Sequence, residues 1–146
     1  MSSGSQSAMG GLVLDAPPAV TAAYQGSGLA ATDLAIGTTG NGLALGTEGG
    51  TDVVFREITI APGGNTGWHY HPGQVLVVVK SGTLTRVLED RSTEVTPAGG
   101  VVVEAAGARH VHIGYNHGTE PVVLLATYLA PAGSPLSVCA PAPGCG

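Results

Sequence analysis

The sequence predicts an all-β domain, a sandwich or a barrel, and three observations support this prediction. No stretch keeps a helical period, and β-branched residues dominate the short apolar runs. Turns rich in glycine and proline separate these runs about every eight to twelve residues, which is typical of sandwiches and barrels. The chain has 146 residues, the usual length of one domain, and 43% of them are hydrophobic, enough for a core.

The first part of the chain carries weak strand patterns. Pro17–Pro18 interrupts any helix near the N-terminus, and we expect residues 1–20 to form a flexible arm. Between residues 24 and 50 we expect only edge strands, such as residues 43–45. The domain itself is predicted to span residues 21–132, and residues 133–146 are expected to form a Pro/Gly-rich tail.

Stronger strand patterns begin at Asp52. The turn cluster Ala61–Gly64 ends the first strand, and Ser81–Gly82 predicts a hairpin between the second and the third. The charged turn Glu89–Ser92 precedes the next strand, and Gly107 interrupts the chain again. The expected strands are residues 53–60, 74–80, 83–88, 93–96, 101–104, 110–115 and 121–129.

All five histidines lie in two short clusters. His69 and His71 form one pair, His110 and His112 form another, and His117 follows. Because side chains at i and i+2 share one face of a strand, each pair can present two imidazoles to one point. Neutral imidazole is a preferred ligand of zinc, iron, copper and nickel. The clusters therefore predict a metal site, although such pairs also arise by chance on solvated faces.

Charge and hydropathy exclude two classes of partner. Only 10% of residues are charged, the net charge is −5, and Lys80 is the sole lysine. Because nucleic-acid binding depends on clustered positive charge, we expect no nucleic-acid partner. No apolar run approaches the length of a membrane span, and we expect no membrane partner.

Cys139 and Cys145 enclose a short Pro/Gly segment near the end of the chain. A disulfide between them would close a small loop and would favour an oxidising, secreted location. The alternative is two exposed thiols on a free tail. The location, cytoplasmic or secreted, stays open, with a slight preference for the disulfide.

At its histidines the sequence resembles the cupin family. The first family motif, Gly-x5-His-x-His-x3-Glu-x6-Gly, can be read over residues 63–82, with its histidines at His69 and His71. The second motif ends in His-x3-Asn, which His112 and Asn116 match. Cupins are two-sheet, jelly-roll-like β-barrels that usually hold a metal through three histidines and one glutamate. The resemblance implies this fold and a metal site here.

Two departures from the family pattern affect the site. Val75 occupies the position of the family glutamate, so the carboxylate ligand is expected to be missing, and Val75→Glu would restore it. Counting back from Asn116 selects His112 as the third histidine, whereas counting forward from Gly107 selects His110. We choose His112. His110 is then an alternative ligand or a neighbouring group, and it is the best candidate for a catalytic acid or base.

The resemblance covers roughly residues 52–130 and implies one divalent ion, Fe, Zn, Ni, Cu or Mn, at His69, His71 and His112. Three neutral imidazoles leave the ion's charge uncompensated, which favours an anionic small-molecule ligand. The arrangement is similar to the three-histidine iron sites of some cupin dioxygenases. We therefore expect a metal-dependent enzyme, with ferrous dioxygenase chemistry ahead of isomerase or lyase chemistry. The alternatives are a non-catalytic metal- and ligand-binding cupin and a structural barrel with a vestigial site. A homodimer is also possible.

Overall fold

The computed structural model describes residues 25–144, and all nine regular elements in this part are β-strands. The strands are β1 (Thr51–Ile60), β2 (His69–Tyr70), β3 (Gln74–Ser81), β4 (Thr83–Val87), β5 (Thr93–Pro97), β6 (Val101–Glu104), β7 (Ile113–Tyr115), β8 (Val122–Pro131) and β9 (Val138–Cys139). The chain divides into two units, residues 1–34 and 35–146, and every strand lies in the second. The predicted arm at residues 1–20 lies outside the described residues. No described helix is long and apolar enough to span a membrane.

The strands of the second unit form two main sheets and a short ribbon. One sheet has the order β1-β8-β3-β6, the other has the order β5-β4-β7, and β2 pairs with β9. All these pairings are antiparallel. The all-β, jelly-roll-like architecture predicted from the sequence is confirmed. The two main sheets remain separate sheets and do not close into one continuous barrel.

Three local predictions are wrong. Among described residues 25–50 there is no strand, so the edge strand expected at residues 43–45 is absent. The strand expected at residues 110–115 is shortened to β7. The hairpin predicted at Ser81–Gly82 does not form, because β3 and β4 belong to different sheets. Gly82 has a φ of 75°, and a Cβ there would lie 2.6 Å from the carbonyl oxygen of Pro121, so glycine is required where the chain changes sheets.

The core lies between the sheets and follows the two-residue period of the strands. On β3, Val75, Val77 and Val79 are buried, and the residues between them are more exposed. On β8 the same alternation buries every second residue from Val122 to Ala130. The buried faces of these two neighbouring strands form one continuous wall, which fixes which side chains point to the interior.

Asn116 explains the second motif in structural terms. Its side chain is 1% exposed, and its amide nitrogen donates to the carbonyl oxygens of Ile60, at 2.9 Å, and Glu120, at 2.7 Å. Its amide oxygen accepts from the backbone nitrogen of Gly118 at 2.9 Å. One buried side chain therefore ties the end of β1 to the turn before β8, and it fixes the loop that follows β7.

Candidate metal centre

Three of the predicted histidines and one glutamate converge at the interior. His69 lies in β2, His71 follows it, and His112 pairs with His69 through backbone hydrogen bonds of 2.9 and 3.0 Å. Glu104 ends β6. One potential ligand atom from each of these four residues lies within 4.8 Å of the others. Ligand bonds of about 2.1 Å on both sides of one ion span a similar distance. We call His69, His71, Glu104 and His112 the His3Glu cluster.

The Nδ1 atoms of the three histidines all point at backbone carbonyl oxygens. Because a carbonyl oxygen only accepts, each Nδ1 carries the proton, and each Nε2 keeps a lone pair. Such a bond fixes the tautomer and ring orientation of a metal-binding histidine. The bonds run from His69 to Gly67, at 2.9 Å, from His71 to Leu136, at 2.9 Å, and from His112 to His110, at 3.0 Å.

The Nε2 atoms meet the carboxylate of Glu104. Its Oε2 atom lies 2.6 Å from Nε2 of His71 and 3.1 Å from Nε2 of His112. Both nitrogen atoms are buried, and no hydrogen-bond donor among the described residues reaches them. Lone pairs this close to a carboxylate repel unless a proton or a metal ion lies between them. The donor set of three imidazoles and one carboxylate therefore fits a divalent transition-metal ion.

The pKa shifts of three of these groups reflect the same burial and contacts. Burial is the main reason that the pKa of His69 lies below its usual value, which keeps its imidazole neutral. Burial acts to raise the pKa of Glu104, but the close contacts with His112 and His71 outweigh it and hold this pKa well below its usual range. Burial acts to lower the pKa of His112, but Glu104 outweighs it and raises this pKa. The carboxylate is thus ionised and attracts a positive charge.

The expected absence of a carboxylate is wrong, because Glu104 supplies one from a neighbouring strand. Val75 on β3 and Glu104 on β6 are direct cross-strand partners. Both side chains are buried and face the same cavity. One trace was present in the sequence: Glu104 follows Val102 at the two-residue period and is the acidic residue of a buried, otherwise apolar strand.

The structure places the other two histidines away from the cluster. His110 ends a turn in which its backbone nitrogen donates to Gly107, so strand alternation does not place its ring beside His112. Its side chain is 44% exposed, and its Nδ1 atom lies 3.4 Å from a carboxylate oxygen of Glu89. His117 is exposed and stacks on Tyr115. The catalytic role of His110 stays a prediction.

The C-terminal segment also contributes to the site. Besides the carbonyl of Leu136, the hydroxyl oxygen of Ser137 lies 3.2 Å from Nδ1 of His71. β9 continues this contact by pairing with β2, where Cys139 is opposite His69. No disulfide is present among the described residues, and Cys145 lies outside them. The predicted disulfide therefore stays a prediction and gives the secreted location no support.

A small cavity adjoins the His3Glu cluster. Its volume is about 40 Å³, which is room for roughly three water molecules. Its wall combines the cluster with Arg86, Thr66, Tyr128 and aliphatic side chains such as Leu84 and Ile58. Tyr128 meets the ring of His71 edge-on at a centroid distance of 5.6 Å, and burial raises the pKa of this tyrosine. The cavity is suited to a small molecule that reaches the cluster.

Comparison with known proteins gives the family. A family model described as the cupin domain matches residues 56–128, and the chain belongs to the cupin family. No curated protein sequence matches the chain significantly. The matched segment contains all four residues of the His3Glu cluster and ends at Tyr128.

Solved structures show the same fold at low identity. A conserved protein with a double-stranded beta-helix domain from Klebsiella pneumoniae is 21% identical, with a TM-score of 0.54, over 80% of this chain and 100% of the other. The polyketide cyclase RemF from Streptomyces resistomycificus is 21% identical, with a TM-score of 0.51, over 61% of this chain and 62% of the other. The DMSP lyase DddQ from Ruegeria pomeroyi is 16% identical, with a TM-score of 0.53, over 63% of this chain. This chain spans 45% of that lyase chain.

Proposed function

We propose that this cupin is a metal-dependent protein that acts on a small molecule and binds one divalent ion at the His3Glu cluster. The observation that carries the proposal is that one potential ligand atom from each of the three histidines and from Glu104 lies within 4.8 Å of the others, with each Nδ1 proton held by a backbone carbonyl. An ion bound there would act as a Lewis acid on a bound oxygen or sulfur atom or, if ferrous, would activate dioxygen.

The chain's own residues give this site its selectivity. His69, His71 and His112 provide neutral ligands, and Glu104 offsets one charge of a divalent ion. The ion therefore keeps a net positive charge that an anionic small molecule can neutralise. Aliphatic side chains in the wall reduce the access of bulk water to the cavity, which strengthens the charged interactions inside it.

The reaction class that we propose first is oxidation of a small molecule by dioxygen at ferrous iron. Three imidazoles and one carboxylate are suitable ligands for that ion, and the cavity admits only small substrates. A lyase and a cyclase are among the solved structures that share the fold. Because a superfold hosts many reactions, isomerase and lyase reactions are tested in parallel.

Metal content of purified variants tests the ligand set. Protein is stripped with a chelator, loaded separately with Fe²⁺ (under anaerobic conditions), Zn²⁺, Mn²⁺, Ni²⁺ and Cu²⁺, desalted and measured by elemental analysis. We expect one ion per wild-type chain and strong loss in His71→Ala, His112→Ala and Glu104→Gln. His117→Ala is the matched control, because His117 is exposed and lies outside the cluster. Retention in His112→Ala with loss in His110→Ala would overturn the ligand set.

Oxygen consumption tests the reaction class. Ferrous protein is mixed with small thiols, carboxylates and diketones, and uptake is compared with that of the metal-free protein. Uptake that depends on both iron and one substrate class supports the oxygenase. A protein that binds the ion and a small molecule tightly, but converts none of the panel with any metal, would instead be a binding module.

We also propose a homodimer, supported by apolar side chains on the outer face of the edge strand β1. Val53 is 54% exposed and Phe55 is 71% exposed on this face. Contiguous exposed apolar residues of this kind often mark interfaces. Light scattering on the wild type and on Phe55→Glu tests this. A wild-type monomer at high concentration would dispose of the homodimer.

A further inference from the structure

Arg86 is the charged residue of the metal cavity that the proposed ligand set does not use. It lies on β4, its residue exposure is 6%, and its side chain points to the interior beside Leu84. A fully buried arginine is rare unless its donors are paired or required for a ligand. Its surroundings therefore determine which of these two cases applies.

The guanidinium group is only partly paired. One terminal nitrogen, Nη2, lies 2.5 Å from a carboxylate oxygen of Glu94, and the other, Nη1, lies 3.8 Å from a carboxylate oxygen of Glu104. The third nitrogen, Nε, is buried, and no acceptor among the described residues reaches it. An unpaired buried donor of a charged group costs free energy, and this cost disappears when an acceptor binds.

The charges around the cavity favour an anion. Glu104 offsets one charge of a divalent ion, and Glu94 offsets the charge of Arg86, which leaves one positive charge beside the cavity. Because the Glu94 side chain is 50% exposed, solvent weakens its share of this compensation. The net charge beside the cavity is therefore at least one positive charge, and a monoanion would neutralise it.

Arg86 also lines a second cavity of about 150 Å³, but the walls of that cavity do not suit an anion. Glu89, Glu94 and Glu104 line it together with His110. Three carboxylates at one surface repel a further negative charge. The cavity that adjoins the His3Glu cluster is lined by all four cluster residues and by only one carboxylate, so it is the place where Arg86 can bind an anion.

We infer that Arg86, through its Nε–H donor and its charge, binds a small monoanion beside the metal and thereby selects carboxylates or similar anions of about three or four heavy atoms as substrates. This inference rests on the proposed metal-dependent function. Arg86 acts here as a specificity-determining residue. A neutral molecule of the same size satisfies neither the Nε donor nor the residual charge, and it is selected against.

Anion binding to the Co²⁺-loaded protein tests the inference without any turnover. The visible absorption of Co²⁺ is recorded in a buffer with a bulky sulfonate anion while formate or acetate is added. Formamide and acetamide serve as neutral probes of equal size. We expect saturable spectral changes with the carboxylates and none with the amides. In Arg86→Met the dissociation constant should rise at least about 10-fold, because a hydrogen bond to a charged group is lost. Arg86→Lys should recover part of the affinity, because it restores the charge but not the Nε donor.

The controls separate the inference from the proposed function. Arg91→Met removes an exposed arginine and should bind the carboxylates like the wild type. Carboxylate binding by Arg86→Met with wild-type affinity and full Co²⁺ content would overturn the role of Arg86 and leave the metal site intact. Loss of Co²⁺ from both Arg86→Met and Arg86→Lys would also overturn it, because Arg86 would then serve the metal site itself. A wild type that binds no Co²⁺ would refute the proposed function, and the inference would fall with it.

Discussion

Exchanging the residues at positions 75 and 104 tests how this cupin supplies its carboxylate. From the sequence alone, Val75→Glu would restore a missing ligand and tighten metal binding. The position of Glu104 reverses that expectation, because the carboxylate is already present on the paired strand. Three variants are informative: Val75→Glu, Glu104→Val and the double variant Val75→Glu/Glu104→Val. The double variant keeps the amino-acid composition and moves the carboxylate to the family position.

The structure indicates how much Val75→Glu should change the free energy of unfolding. Val75 is 1% exposed, so a glutamate there is buried, and a buried ion costs several kcal/mol in real proteins. Cross-strand partners have Cβ atoms about 5 Å apart, and two carboxylates at that distance repel by about 3 kcal/mol at an effective dielectric constant near 20. We therefore expect Val75→Glu to lower the free energy of unfolding of the metal-free protein by about 3–6 kcal/mol, a large part of a typical total.

Metal affinity should depend on the presence of one carboxylate in the cluster. Glu104→Val removes a ligand and should raise the dissociation constant more than about 100-fold, since loss of an outer hydrogen-bond partner alone costs 10–100-fold. In the metal-free protein the same variant takes a carboxylate away from Arg86, His71 and His112, so it should also lower the free energy of unfolding. The double variant should recover at least about 10-fold of the lost affinity, because a carboxylate again reaches the histidines.

Urea unfolding in the presence of a chelator measures stability, and competition with a chromophoric chelator measures zinc affinity. Two results would refute the reasoning. One is wild-type affinity in Glu104→Val. The other is tighter binding in Val75→Glu without loss of stability in the metal-free protein, which would mean that Glu104 is not a ligand and that the family position still is.

Three further predictions concern the surroundings of the site. A chain that ends at residue 133 lacks the Leu136 carbonyl that orients His71. Its zinc dissociation constant, measured by chelator competition, should therefore rise about 10–100-fold. Unchanged affinity would show that this contact is dispensable. Asn116→Ala removes three hydrogen bonds from a residue that is 1% exposed and should lower the free energy of unfolding by about 2–4 kcal/mol in urea, whereas a loss below about 1 kcal/mol would contradict its structural role. Cys139 and Cys145 should resist alkylation without reductant, as intact mass would show, and two freely alkylated thiols would exclude the disulfide.

Local sequence patterns predicted the strands and most residues of the His3Glu cluster. The two-residue period predicted that His69 and His71 point to one place, and the spacing to Asn116 selected His112 rather than His110. The structure groups these three side chains, because both inferences depend on the geometry of one strand or one turn, and their role as metal ligands stays a prediction. The failed hairpin at Ser81–Gly82 shows the limit, since turn residues show where a chain reverses but not whether the next strand joins the same sheet.

Contacts between distant segments could not be predicted in the same way. Leu136 positions His71 through a backbone carbonyl across 65 positions of sequence, and a carbonyl carries no residue-specific pattern. The segment was expected to be a tail because it is rich in proline and glycine. Its contribution comes from β9 pairing with β2, a two-residue ribbon too short for any strand pattern to reveal.

Glu104 supplies the cluster with a carboxylate from a position other than that of the family glutamate. This changes the conclusion to be drawn from the valine at position 75. The family motif specifies a glutamate at one position in the sequence. Because Val75 occupies that position, the sequence suggested a vestigial site. Metal chemistry requires an oxygen atom at one position in space, and two paired strands offer two positions whose side chains reach it. Glu104 satisfies that requirement from β6, where it is ionised, buried and in contact with His71 and His112. A buried carboxylate needs a compensating cation, and the nearest nitrogen of Arg86 is 3.8 Å away. The presence of Glu104 opposite Val75 therefore supports the proposed metal centre over a vestigial site.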